Sequence, residues 1–213
     1  MLNDAFLDDL AANLTPVRRR SIVRETGMIA ALAGLELALF LGIGAMRPDM
    51  GLLIGEPFMW WKLGSLALVV AISVLTAVGS FSPTSSPRLG LVVLTGVIGA
   101  AAIVGALVDP AAETTGTIVE RLAPLHGLVC MTGIVVLSLP MLTLLSVFLR
   151  RGASAHVEKS AVAVGIAGGS WGAFVFAFCC PVNDPLYVLV WYLAGVAVVT
   201  SLSRLILPRH SSL

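Results

Sequence analysis

Apolar residues fill the chain in six long runs, at 27–45, 63–81, 89–108, 122–149, 160–180 and 185–207, with short polar stretches between them. The separators are turn chemistry: Arg47-Pro48-Asp49, Ser82-Pro83 through Ser86-Pro87, Asp109-Pro110, Arg150-Arg151-Gly152 and Pro181 through Pro185. No run alternates with period two, and each is close to or above the ~20 residues a helix needs to cross hydrocarbon. Only helices and closed barrels satisfy their backbone in lipid. The pattern therefore predicts an all-α membrane protein, a bundle of six transmembrane helices occupying residues 27–207.

Ahead of the first run, Leu2, Phe6, Leu7, Leu10 and Leu14 recur at helical spacing, with Asp4, Asp8 and Asp9 at other positions and Pro16 ending the pattern. This predicts a short cytoplasmic N-terminal amphipathic helix within residues 1–26. Such a helix is too short to be stable alone, so its apolar face needs a partner. A helix lying on a membrane is usually basic on its polar face, whereas this one is acidic and suits a basic protein groove. Both partners remain open on the residues alone.

Composition agrees with the hydropathy. Of 213 residues, 58% are apolar and 12% charged, where a soluble domain carries roughly a quarter charged; the mean hydropathy is +0.99. The net charge of +1 conceals an asymmetry. Arg18, Arg19, Arg20, Arg24, Arg88, Arg150, Arg151, Lys159, Arg204 and Arg209 fall on one side of the bundle, and only Arg47, Lys62 and Arg121 on the other. The excess of Lys and Arg places both termini, including the short tail 208–213, in the cytoplasm. A cleavable signal peptide is the weaker reading of the first run, which is long enough to span and follows an arginine-bearing polar segment.

Small residues mark where helices approach closely in lipid. The fifth run carries Gly165, Gly168, Gly169 and Gly172, and the third Gly96, Gly99, Ala100 and Gly105, which nominates these two helices for the interior. Trp60, Trp61 and Tyr187 sit where interfacial aromatic belts are expected.

Chemistry-bearing residues are few. Glu36, midway along the first run, is the one clear intramembrane charge; it is either a hydrogen-bonded carboxyl or part of an ion pathway. No phosphate-binding loop, HExxH pair, Ser/His/Asp set or CxxC pair is present, so an enzyme is not expected and no cofactor is required. Three cysteines are too few for a disulfide scaffold. Cys130 lies near the non-cytoplasmic end of the fourth run and Cys180 ends the fifth on the same side, where disulfides are permitted. His126 precedes Cys130 by one helical turn and Asp184 follows Cys180. Thiolate, imidazole and carboxylate converging there would suit a transition or heavy metal ion acting as a signal, held by Cys130, Cys180 and His126. Against this, membrane cysteines are often small apolar filler, and Cys130 sits ~9 Å deeper than Pro124 at 1.5 Å per residue.

The order of short motifs resembles the negative regulator of sigma F (NrsF-like) family of six-helix bacterial inner-membrane anti-sigma factors. The matching stretches are Asp8-Asp9-Leu10 to Pro16-Val17-Arg18-Arg19, Arg47-Pro48-Asp49, Cys130 with Ile134, Ser138 and Pro140, Arg150-Arg151-Gly152-Ala153, and Cys180-Pro181 through Asp184 to Trp191-Tyr192. The resemblance implies a protein that holds an extracytoplasmic-function sigma factor at the inner face of the membrane, without touching nucleic acid, and releases it under metal or oxidative stress. It further implies that Cys130 and Cys180 are the sensing pair and that Leu2 to Leu14 is the docking segment. Cys179 departs from the pattern by adding a thiol beside Cys180. A reading from another class is a small transporter or channel subunit that uses Glu36 and the glycine-rich helices.

Overall fold

The computed structural model describes residues 21–83, 85–109, 117–152, 154 and 156–210, with side chains to 207. The amphipathic segment and its Leu2, Phe6, Leu7, Leu10 and Leu14 lie outside the described residues. The described chain runs through α1 (Ile22–Gly42), α2 (Met50–Leu53), α3 (Pro57–Ser80), α4 (Arg88–Leu107), α5 (Ile118–Leu122), α6 (Pro124–Arg151), α7 (Val157–Phe176) and α8 (Pro185–His210). Six of these, α1, α3, α4, α6, α7 and α8, are long and apolar enough to cross a membrane.

The boundaries differ from the hydropathy runs where capping chemistry decides them. Ser21 accepts from the Arg24 amide and starts α1 before the apolar run does. Pro57 occupies the first turn of α3, so the helix begins ahead of Leu63 and takes Lys62 with it. The fourth run is broken at Ala123, whose φ of 36° ends α5 and begins α6. The Leu122 carbonyl at that break accepts from the Trp191 indole at 2.8 Å. The fifth helix stops at Phe176, which leaves Cys179 and Cys180 in the connection to α8 rather than on a helix.

α7 is the central element. About two thirds of its positions are buried, and it packs against α3, α6 and α8. Its glycines make this possible: a Cβ at Gly172 would collide with the Ile134 carbonyl and lie 2.8 Å from the Ser138 amide of α6, and one at Gly165 would lie 2.6 Å from the Thr200 Cα of α8. Buried serines stitch the same helices together, with Ser73 and Ser170 at 3.0 Å and Ser203 donating to the Ala161 carbonyl at 2.7 Å.

The expectation for the third run is corrected. α4 is peripheral, with only Leu94 and Gly105 buried; Gly96 and Gly99 have no neighbour within 4 Å of where a Cβ would stand. Its contacts run mainly to α3, where Trp61 donates to the Ala101 carbonyl at 2.8 Å. α1 is also peripheral and touches chiefly α6. Trp60 is exposed as a belt residue should be, but Tyr187 is fully buried.

Candidate functional site

The connections 43–56 and 177–184 meet at one end of the bundle together with Asp109 and residues 117–123, and the site is built there. Two thiols form its centre. Cys130 is contributed by the first turns of α6 and Cys180 by the chain just past α7; both are buried, Cys180 completely. The 177–184 connection folds inward, with the Cys180 amide donating to the Phe176 carbonyl at 3.2 Å. Cys180 thereby comes down to the depth of Cys130, and the two thiols lie within hydrogen-bonding reach of one another while both remain free. No displacement of α6 is required. The Tyr187 hydroxyl of α8 lies 3.0 Å from the Cys130 sulfur. Tyr192, one turn further along α8, directs a buried hydroxyl toward Cys180 without forming a hydrogen bond of good geometry.

Two cations hold the connection. Lys62 of α3 is 0% exposed and donates to the Cys180 and Val182 carbonyl oxygens, both at 3.3 Å, with its ammonium 5.7 Å from the Tyr192 ring centre. Arg47 donates to the Cys180 carbonyl at 3.2 Å and to Asn183 at 3.0 Å, while binding Asp49 through two bonds of 2.6 and 2.7 Å. That bidentate pair holds the Asp49 carboxyl below its usual range. Cys180 is also held below the ordinary thiol range; the hydrogen bond from Cys130 is the largest cause, burial opposes it, and the Lys62 charge reinforces it.

The third basic residue at this end, Arg121, binds Asp184 at 2.7 and 2.9 Å and Asp109 at 2.7 Å. All three residues that offend the positive-inside asymmetry are therefore engaged within the protein. Asp184 also accepts from the Leu186 and Tyr187 amides and caps α8. Burial alone would raise its carboxyl, but Arg121 and the two amides outweigh that and hold it below the usual range.

The three-ligand metal reading does not match this arrangement. His126 is exposed on α6, Asp184 is committed to Arg121, and no group of three His, Cys, Asp or Glu side chains gathers among the described residues. Cys179 points away from the pair: its thiol donates to the Phe176 carbonyl at 3.2 Å and lines an apolar groove with Phe40, Leu128, Thr132 and Phe176. Cys130 and Cys180 are thus the thiols brought together. Glu36 accepts from the Trp171 indole at 2.8 Å, which joins α1 to α7 as a hydrogen-bonded carboxyl would.

A family model described as negative regulator of sigma F matches residues 10–211. The chain belongs to this family. A similar protein is the anti-sigma-F factor NrsF of Caulobacter vibrioides (strain NA1000 / CB15N), 31% identical over 200 residues that cover 92% of each chain. No solved structure matches the chain. This member of the NrsF family is kin to negative regulators of sigma F, and its buried dithiol lies among four residues that sequence reasoning had not assigned to a site. Lys62 was hidden because the second apolar run begins one residue after it; the Pro57 helix start would have exposed it as an intramembrane charge. Tyr187 read as an ordinary interfacial aromatic, Tyr192 only as part of the stretch that carries the family resemblance, and Arg47 as a turn residue.

Proposed function

We propose that this NrsF-family protein is an anti-sigma factor of the bacterial inner membrane. It holds an extracytoplasmic-function sigma factor on its cytoplasmic side through Leu2, Phe6, Leu7, Leu10 and Leu14, and releases it when Cys130 and Cys180 are oxidised to a disulfide on the opposite side. The observation that carries the sensing half is the meeting of these two thiols in a buried setting at one end of the bundle, Cys130 from α6 and Cys180 from the connection that follows α7. Family membership and the Caulobacter relative support the sigma-factor half.

Two experiments test the two halves. Pull-down of the detergent-solubilised protein from lysate of its own cell, with and without residues 1–16, should recover a sigma factor only with the segment present, and Leu10→Asp should abolish recovery while leaving the bundle intact. Recovery without the segment refutes the docking role. Cys130→Ser and Cys180→Ser should each retain the sigma factor under oxidant; unchanged release refutes the sensor. The transport reading loses its main support from the Glu36 bond to Trp171.

A further inference from the structure

Lys62 presents an imbalance. An ammonium taken wholly out of water is costly unless an anion offsets it, yet among the described residues its partners are two carbonyl oxygens and the face of Tyr192. Of the described carboxylates at this end, Asp49 is bonded to Arg47, Asp109 and Asp184 to Arg121, and Glu120 to the Thr117 amide, while Glu56 is exposed to solvent. The ionisable side chains that act on Lys62 are the Cys180 and Cys130 thiols and Arg47, and Arg47 repels it. A second imbalance sits across the same sulfur. The Tyr192 hydroxyl is buried with no hydrogen-bond partner, and it is directed at Cys180.

One charge assignment resolves both. We propose that Cys180 rests as a thiolate paired with the buried Lys62 ammonium, which makes Lys62 the positioning residue that selects Cys180 as the reacting thiol. The thiolate then accepts from the Tyr192 hydroxyl and from the Cys130 thiol, and the Cys130 sulfur accepts in turn from the Tyr187 hydroxyl at 3.0 Å. Every polar hydrogen around the pair acquires an acceptor. This deepens the sensor reading and rests on it: Cys180 attacks and Cys130 resolves.

With a hydroperoxide as oxidant, the Cys180 thiolate attacks the terminal peroxide oxygen and the O–O bond breaks. The leaving alkoxide takes a proton from solvent, giving an alcohol and a Cys180 sulfenic acid. The Cys130 sulfur then displaces the sulfenic oxygen, which leaves as water with the Cys130 proton, and the S–S bond forms. The two cysteines lose two electrons and the peroxide gains them. Lys62 then has no anion. It must admit water or give up its proton, and either outcome weakens its hold on the Cys180 and Val182 carbonyls. Disulfide formation is in this way tied to loosening of the 177–184 connection.

The test is a pH titration of ultraviolet thiolate absorption on the full-length protein in detergent, subtracting Cys180→Ser from wild type. One thiolate is expected at pH 7 in wild type and in Lys62→Arg. Lys62→Met should hold clearly less thiolate at pH 7, falling toward the ~3% of an ordinary thiol. A wild-type Cys180 that ionises only in the ordinary thiol range overturns the proposal, whether or not Lys62→Met folds, and so does an unaltered titration in folded Lys62→Met. The sensor reading fails separately: it is lost if release ignores Cys130 and Cys180, whatever the charge of Cys180, and it survives if release needs them but Cys180 is protonated.

Discussion

The contact between α6 and α7 admits a quantitative test, because it is made backbone to backbone. A Cβ at Gly172 would stand 2.8 Å from the Ser138 amide nitrogen and 3.0 Å from the Ser138 Cβ, and closer still to the Ile134 carbonyl. Unstrained heavy-atom contacts lie at about 3.5–4.0 Å, so Gly172→Ala requires the helices to part by more than ~0.7 Å or to deform. Neither neighbour is the end of a flexible side chain that could swing aside. Overpacking of this kind costs about 1–3 kcal/mol. The comparison variant is Gly96→Ala, where nothing stands within 4 Å. Both substitutions gain the same intrinsic helix propensity of about 1 kcal/mol, so the difference between them isolates packing. Unfolding in mixed micelles with increasing denaturing detergent, followed by circular dichroism, should place Gly172→Ala about 1–3 kcal/mol below Gly96→Ala. Equal stabilities would refute the close approach of α6 and α7, and with it the position of Cys130 beside Cys180.

Other predictions use the polar contacts. Because the folded Asp184 carboxyl is held below its usual range, its contribution is complete above the unfolded value of about 3.9 and disappears as pH falls through the folded value; thermal midpoints should drop below about pH 4 in wild type and much less in Asp184→Asn, which should itself be destabilised at pH 7. Glu36→Gln preserves an acceptor for the Trp171 indole and should lie within ~0.5 kcal/mol of wild type, whereas Glu36→Leu leaves that N–H unpaired and should cost about 1–3 kcal/mol, both read by the same unfolding assay. Cys179→Ser should leave the rate of disulfide formation unchanged by mass spectrometry, because its thiol faces the groove by Phe40 and Thr132 and not Cys130.

The six long helices were legible because lipid imposes a length and forbids polar faces, and Gly165 to Gly172 marked the central helix because only small side chains permit such approach. The same rule overreached at Gly96 and Gly99, since glycine on a peripheral helix carries the same letter as glycine in a contact. Cys130 and Cys180 were singled out by type and side. What hydropathy lacked was depth: it stretched the fifth helix to Cys180, when the chain leaves the helix at Phe176 and turns inward. Lys62 was lost for the complementary reason, as a window that starts at the first apolar residue excludes a charge that the capped helix carries inside.

The placement of Arg47 gives the cluster its reach. α1 buries only Ile29 and meets the other helices mostly through α6, so few contacts fix its tilt. At one end Arg47 ties the chain beyond α1 to the 177–184 connection, through its own amide to the Phe178 carbonyl at 3.1 Å and its side chain to the Cys180 carbonyl and Asn183. At the other end, α1 is preceded in the sequence by residues 1–20, the segment proposed to hold the sigma factor. A change in the Cys180 carbonyl therefore acts on the end of a weakly packed lever, whereas the same change delivered to α7 would meet close-packed backbone on three sides. Rigid elements with few contacts move as bodies, and packed ones do not. In a switch built on this fold, α1 rather than α7 is the element whose position the thiol pair is placed to set, with the Trp171 bond to Glu36 as its inner pivot.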